Sequence, residues 1–381
     1  MEREDDATPV AGSAQKSFTY ELSSTSKLSK WMLVINFFML LLGGMGIGLL
    51  AGAGSVAVLF LLMAQPILIM HVVYWRHQRH DASLDMIIKL FFLGFWWTTG
   101  VASLLEGLLS RLFIAALGFY PPVLGDSQNA FDPTGLTVEK AIAELKEETR
   151  AYYSTHMAKA IALNLLTAFL MAACVEETMK HFIVRCCQFR RSHHNQYSVI
   201  IYMVAGALGF ATFENIGYVF GGGLRLMILG GSALPGEFLT LFLRFLMPIH
   251  PICAFIQGIN TAKRDLDIEN RHFKLWHILL PAIALHGTFD AVLMVLGTIS
   301  IVEGPEADNW IQILGLSAAL GISMVSLIGV RMSYKRHKVS LLSGWSQLET
   351  REVDTSNPIR SHVPLRENAN ISPITLLGEE T

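Results

Sequence analysis

Residues 160–181 read AIALNLLTAFLMAACVEETMKH. The run up to Val175 is free of charge and reads as lipid-soluble, yet it ends in Glu176, Glu177, Lys180 and His181. A central Asp, Lys or Arg costs roughly 2.5–3.5 kcal/mol on membrane-insertion scales, so ionisable groups at such a place face a protein interior or a water-filled cavity. This stretch therefore predicts a membrane helix whose inner face does chemistry.

Working outward, the rest of the chain repeats the pattern. Of 381 residues, 52% are hydrophobic and only 16% charged, with a net charge of -2, a balance too apolar for an ordinary soluble domain. About 20 apolar residues cross a bilayer as a helix. Spans are expected near 31–53, 55–75, 84–109, 158–184, 197–221, 238–260, 275–300 and 308–332. The fold class predicted is all-α, a polytopic transmembrane bundle of about eight spans with a disordered C-terminal tail. GGMGIGLLAGAGS, between the first two spans, suits either a tight turn or a small-residue packing face. LFIAALGFYPPVLG reads as an interfacial piece and VEKAIAELKEETRAYYS as an amphipathic surface helix.

Basic residues set the orientation. Lys27, Lys30, Arg76, Arg79, Arg185, Arg190, Arg191, Lys263, Arg264, Lys335, Arg336 and Lys338 fall on one side, the cytoplasm by the positive-inside rule, and both termini go with them. The first thirty residues lack the basic, short-cored pattern of a cleaved signal peptide, so the first span is expected to be a retained anchor, in an endomembrane if the source is eukaryotic. Cys174, Cys186, Cys187 and Cys253 form neither a metal-type pair nor a disulfide framework. Nothing in the charge pattern indicates nucleic acid; the bilayer is the expected surrounding partner.

Four consecutive later spans carry polar groups at membrane depth: Glu176 and Glu177; Glu214 and Asn215 in FATFENIGY; Arg244 and His250 in LRFLMPIHP; His286 and Asp290 in LHGTFD. Residues four apart share a helix face, so Glu176 is expected to side with Lys180, Glu177 with His181, and Asp290 with the ring of His286. A helix rise of about 1.5 Å per residue offsets Glu176 from Glu214 by about 10 Å along the membrane normal. In the third span Lys89 and Glu106 are expected to be interfacial or paired.

Three chemistries use such a set. A Glu beside a His activates water as a general base while a second donor holds the oxyanion. Two His and a carboxylate bind Zn²⁺ with an open position. Carboxylate and His relays also carry protons through transporters. The strings HExxH, GxGD and GxSG of other intramembrane proteases are absent from the sequence.

The order of EETMK (176–180), FATFENIGY (210–218), His250 and HGTFD (286–290) resembles the PrsW-type intramembrane proteases, relatives of the type II CAAX prenyl endopeptidases. The resemblance covers about residues 158–300. It implies an endopeptidase in which Glu176 activates water with Glu177 as its partner, His250 and His286 hold the water or stabilise the oxyanion, and Asp290 orients His286. Glu214 stands where the CAAX relatives carry His, which favours the PrsW branch. The implied substrate is a transmembrane protein or membrane-associated peptide, with no cofactor. A non-catalytic membrane scaffold or chaperone of the same fold and an ion-coupled transporter are the alternatives.

The expected organisation is thus an N-terminal cytoplasmic tail (1–30), accessory spans with a non-cytoplasmic segment (31–157), a catalytic membrane core (158–300), a last span (301–332) and a disordered cytoplasmic tail (333–381).

Overall fold

A computed structural model describes residues 18–75, 82–122, 138–188, 196–228, 233–266 and 273–353. All regular elements among them are helices. Eight are long and apolar enough to cross a membrane: Lys27–Ala51, Ala53–Val73, Leu84–Leu117, Met157–Cys187, Ser198–Gly221, Leu234–Asp265, Leu275–Glu303 and Asn309–Arg336. The chain is a multi-pass membrane protein, as the apolar runs imply.

The glycine-rich junction is both things the sequence allows. Gly52, at φ +93°, turns the chain directly from the first span into the second. Upstream, Gly44 and Gly48 leave room for Leu59 and Val56 of the second span. Of LFIAALGFYPPVLG, the described part (112–122) is not a separate interfacial piece: the third span runs on through Leu117, and Gly118, in the left-handed region at φ +54°, caps it, while 123–125 lie outside the described residues. The segment VEKAIAELKEETRAYYS forms a helix, Val138–Thr155. Arg150 from this helix donates to the carbonyls of Val302 (2.9 Å) and Glu303 (2.9 Å), satisfying the C-terminal end of the seventh span. The last helix continues beyond the membrane to Val353, so the first part of the expected tail is helical; the tail from 354 on lies outside the described residues.

The fifth span is the hub, with 83% of its apolar window buried inside the protein. Its inner face (Ile201, Met203, Val204, Ala205, Ala207 and Leu208) packs with Met86, Ile87 and Leu90 of the third span, Ile183 and Val184 of the fourth and Ala254 of the sixth. Lipid is as apolar as these side chains, so close fit rather than water exclusion must hold the helices together, and small residues supply it. A β-carbon at Gly209 would fall 1.8 Å from the Phe91 carbonyl oxygen, and one at Gly94 would fall 2.1 Å from the Gly206 carbonyl oxygen. The third and fifth spans therefore touch backbone to backbone. Beside the polar cluster, a β-carbon at Gly287 would meet the Phe169 ring at 2.3 Å, which seats the fourth span on the seventh.

Three spans depart from regular helix near the cluster. Leu93–Thr98 and Thr167–Cys174 are wide π-helical turns in the third and fourth spans. Such insertions shift the register of the next helical turns and recur at functional sites; the second lies just before Glu176. The sixth span breaks at Met247–Pro248 into two helices, Ala233–Leu246 and Ile249–Leu266. Pro248 has no N–H for the Arg244 carbonyl one turn earlier. Gln65 of the second span supplies the missing donor, with Nε2 3.0 Å from that carbonyl, and Asn215 donates in turn to Gln65 Oε1 at 3.0 Å.

Replacing Gln65 by Leu leaves both the Arg244 carbonyl and the Asn215 amide without these partners, at a cost of about 1–3 kcal/mol per unsatisfied group. A lower thermal midpoint in detergent is expected, and an unchanged midpoint would show that the break is held in some other way.

Outside this region, Asp85 at the start of the third span accepts from the Ser26 backbone (2.8 Å), from Ser26 Oγ (2.6 Å) and Ser29 Oγ (2.7 Å) of the first, and from Lys89 (2.7 Å). Lys89 is paired as expected. Glu106 keeps one oxygen, Oε1, buried without a hydrogen-bond partner among the described residues, and it lies within electrostatic reach of Glu176 and Glu214.

Candidate functional site

The fourth, fifth, sixth and seventh spans bring all six predicted residues into one cluster at membrane depth. Glu176, Glu177, His250 and His286 are buried there together with Lys180. Buried charges persist in a low-dielectric interior only when paired and hydrogen-bonded, and each of these has partners.

Lys180 stands at the centre. Its Nζ donates to Glu176 Oε2 at 3.0 Å, to Glu177 Oε1 at 2.8 Å and to His250 Nδ1 at 2.9 Å. An ammonium has three protons, so each has an acceptor. The face of Phe210 lies 4.1 Å from Nζ. Glu177 thus sides with Lys180 at i+3 rather than with His181 at i+4, a correction to the face read from four-residue spacing alone.

Glu177 is held at both oxygens. Besides Lys180, its Oε1 meets His286 Nδ1 at 3.0 Å, and its Oε2 accepts from Gln257 Nε2 at 2.7 Å. Glu176 differs: Oε2 takes the Lys180 bond, while Oε1 carries no hydrogen bond among the described residues. One of the two adjacent carboxylates is fixed by its neighbours and the other keeps a free oxygen.

The imidazoles lie edge to face, their ring centres 4.9 Å apart. His286 holds Glu177 at Nδ1 and Asp290 Oδ2, 3.2 Å away, at Nε2; Glu176 Oε2 lies 3.9 Å from the same Nε2. His250 accepts from Lys180 at Nδ1, which leaves the ring proton on Nε2. Glu214 Oε2 sits 2.6 Å from that Nε2 but without the alignment of a hydrogen bond. The expected 10 Å separation of Glu214 from the other residues is thus absent: the break in the sixth span places His250 in the first turn of its second half, beside Glu214 of the hub helix.

Glu214 and Asp290 are the part-exposed members, at 16% and 21% of their side-chain surface, so the cluster opens on their side. Arg244 stacks at that mouth, 3.8 Å above the Tyr218 ring. Sequence reading missed Gln257 and Gln65. Gln257 comes seven residues after His250, two helical turns on the same face, and that spacing was the available signal. Gln65 had none beyond being an amide beside Pro66 in an apolar run.

The sequence profile of the PrsW family of intramembrane metalloproteases matches residues 135–320, a stretch that contains every residue of this cluster. Over residues 135–320 the chain is similar to the PrsW family. The proteins named Protease PrsW from Geobacillus kaustophilus, Bacillus subtilis and Clostridioides difficile are 31%, 28% and 30% identical over 137, 139 and 135 residues. These matches cover 35%, 35% and 34% of this chain and 55%, 56% and 53% of those proteins, so the chain spans about half the length of the curated relatives it matches. No solved structure matches the chain. The matched segment holds the fourth to seventh spans; Gln65, Lys89 and Glu106 lie outside it.

The description of the matching family as metalloproteases invites a test of this cluster as a metal site. Glu176, Glu177, His250 and His286 each bring a ligand atom within 4.8 Å of the others, and two His with carboxylates suit zinc in type. Their hydrogen bonds do not suit it. Lys180 takes the lone pair of His250 Nδ1, so Nε2 carries a proton; both nitrogens of His286 face carboxylates as donors; and Glu177 already accepts at both oxygens. A zinc ligand must offer a lone pair, and neither imidazole has one to offer. This arrangement does not fit a metal.

Proposed function

We propose that the chain is an intramembrane endopeptidase that hydrolyses peptide bonds of other membrane proteins, with water activated by Glu176. The observation that carries this reading is Glu176, whose Oε2 is held by Lys180 and lies 3.8 and 3.9 Å from the imidazoles of His250 and His286 while its Oε1 takes no hydrogen bond among the described residues, in a site buried at membrane depth and open at one side. The names of the relatives, all called Protease PrsW, support it.

Glu176 Oε1 accepts a proton from water as the oxygen attacks the scissile carbonyl, and the same carboxyl returns that proton to the leaving amine. One water is consumed and one peptide bond is cleaved. His250 Nε2–H, which has no aligned acceptor, stabilises the oxyanion, and His286, with an N–H toward each of two carboxylates, adds the positive charge of its ring beside it. Asp290 and Glu177 clamp His286 from either side, so both are positioning residues. Glu214 lies at the mouth beside His250, where an entering peptide passes.

The substrate is a transmembrane segment or a membrane-associated peptide, since the polar mouth lies among lipid-facing side chains such as Phe213 and Tyr218. Both termini are proposed to be cytoplasmic. Arg185 at the end of the fourth span pairs with Asp265 at the end of the sixth, beside Lys263 and Arg264, which supports one shared basic side for those ends.

A panel of single-span membrane proteins, reconstituted with the purified chain in lipid, tests the proposal. Cleavage within or near the span is expected. Flux of a small solute without cleavage would replace this reading with a transporter, and binding without cleavage would replace it with a scaffold.

A further inference from the structure

We propose that Lys180 is the resident cation of this site, so that the chain works without a metal and is kept metal-free by its own ammonium. This deepens the proposed function by naming the positive charge that the reaction uses.

Three lines of geometry converge. First, Nζ lies 2.8–3.0 Å from Glu176 Oε2, Glu177 Oε1 and His250 Nδ1, which come from three of the four residues able to surround a metal. Second, those contacts use all three ammonium protons, so the lysine is held at the point where the acceptors converge. Third, Phe210 closes one side of the cage with its ring face, 4.1 Å away. An aromatic face attracts an ammonium but supplies no ligand to zinc. The cage is matched to a lysine in charge, in hydrogen-bond count and in surface.

The ammonium also does part of what a metal does. It neutralises the carboxylate pair, fixes Glu176 by one oxygen so that the other points free, and sets the His250 tautomer so that Nε2–H faces the mouth. It supplies no open coordination position, so water is held by Glu176 and the Nε2–H of His250 instead. Lys180 acts through these groups and is a positioning residue.

Removal of the ammonium should turn the cage into a metal site. Met is one atom shorter than Lys, so Lys180→Met vacates the position of Nζ while keeping the stem. The three freed acceptors would need to move in by less than about 1 Å to reach zinc bond lengths.

The experiment is to purify wild type, Lys180→Met and Lys180→Arg in lipid, load each with zinc, dialyse, and measure bound zinc; loading with Co²⁺ then reads geometry through its visible absorption. The expectation is about one zinc per chain for Lys180→Met, with a tetrahedral cobalt spectrum, and below about a tenth of that for wild type and Lys180→Arg. A tight chelator should leave any wild-type cleavage unchanged. Stoichiometric zinc in wild type, lost on His286→Ala, would overturn the proposal, as would a folded Lys180→Met that binds none. Should Lys180→Met fail to fold, the zinc content of wild type decides alone. Metal-free wild type that cleaves no substrate would remove the proteolytic reading and leave Lys180 as the occupant of the cage.

Discussion

Glu176→Gln is expected to slow peptide-bond cleavage by about 10²- to 10⁴-fold, the range that a positioned general base contributes. The effect should fall on kcat rather than KM. Gln is isosteric with Glu and its side-chain oxygen still accepts the 3.0 Å bond from Lys180, so the fold and the mouth at Glu214 and Asp290 persist. What disappears is the free basic oxygen that takes a proton from water. Steady-state cleavage in lipid, with substrate binding measured separately, checks this. Full activity in Glu176→Gln would remove Glu176 as the base and leave the adjacent carboxylates with a structural role.

Gly209→Ala is expected to be among the most damaging single-methyl additions in the chain. The new β-carbon would lie 1.8 Å from the Phe91 carbonyl oxygen and 2.8 Å from the Phe91 carbonyl carbon. Side chains can rotate away from an intruder, but here both partners are backbone, so the third and fifth spans must separate. Overpacking commonly costs about 1–3 kcal/mol and more where relaxation is blocked; loss of monodisperse protein on extraction is expected. Gly217→Ala is the control: it lies on the same helix with nothing within 4 Å of its would-be β-carbon. It should be neutral or stabilise by up to about 1 kcal/mol through helix propensity. Equal midpoints for the two variants in thermal unfolding would contradict the backbone contact.

The spans are legible in the sequence because length and apolarity alone fix them: the run ending at Glu176 and the seven like it each exceed what a bilayer requires. The site residues are legible because ionisable groups at membrane depth are costly, and six of them stand in four consecutive spans. The joining geometry is not. Helical spacing assigns Glu177 to His181, but i+3 and i+4 neighbours share a face, and only the packing of His250 against Lys180 decides which one the carboxylate meets. The 10 Å offset assumes straight, regular helices, whereas the π-helical turn at Thr167–Cys174 and the break at Met247–Pro248 change rise and register where it matters. Pro248 signals the break, but nothing in the sequence ties Gln65, far earlier in the chain, to the carbonyl that it leaves open. Glu106 escapes for a related reason: cost alone predicts a pairing, and the helix carrying it offers its Oε1 no hydrogen-bond partner.

Hydrolysis by a Glu176-activated water is tested by the fate of that water. Wild type and a single-span substrate would be incubated in lipid in H₂¹⁸O with a tight metal chelator, and the fragments weighed and sequenced. The expected result is two fragments divided within or near the substrate's membrane segment, with one ¹⁸O in the new C-terminal carboxylate, and none from Glu176→Gln in the same time. Substrate recovered whole from wild type and Glu176→Gln alike, while both bind it equally, would contradict the proposal and make this cluster the core of a scaffold.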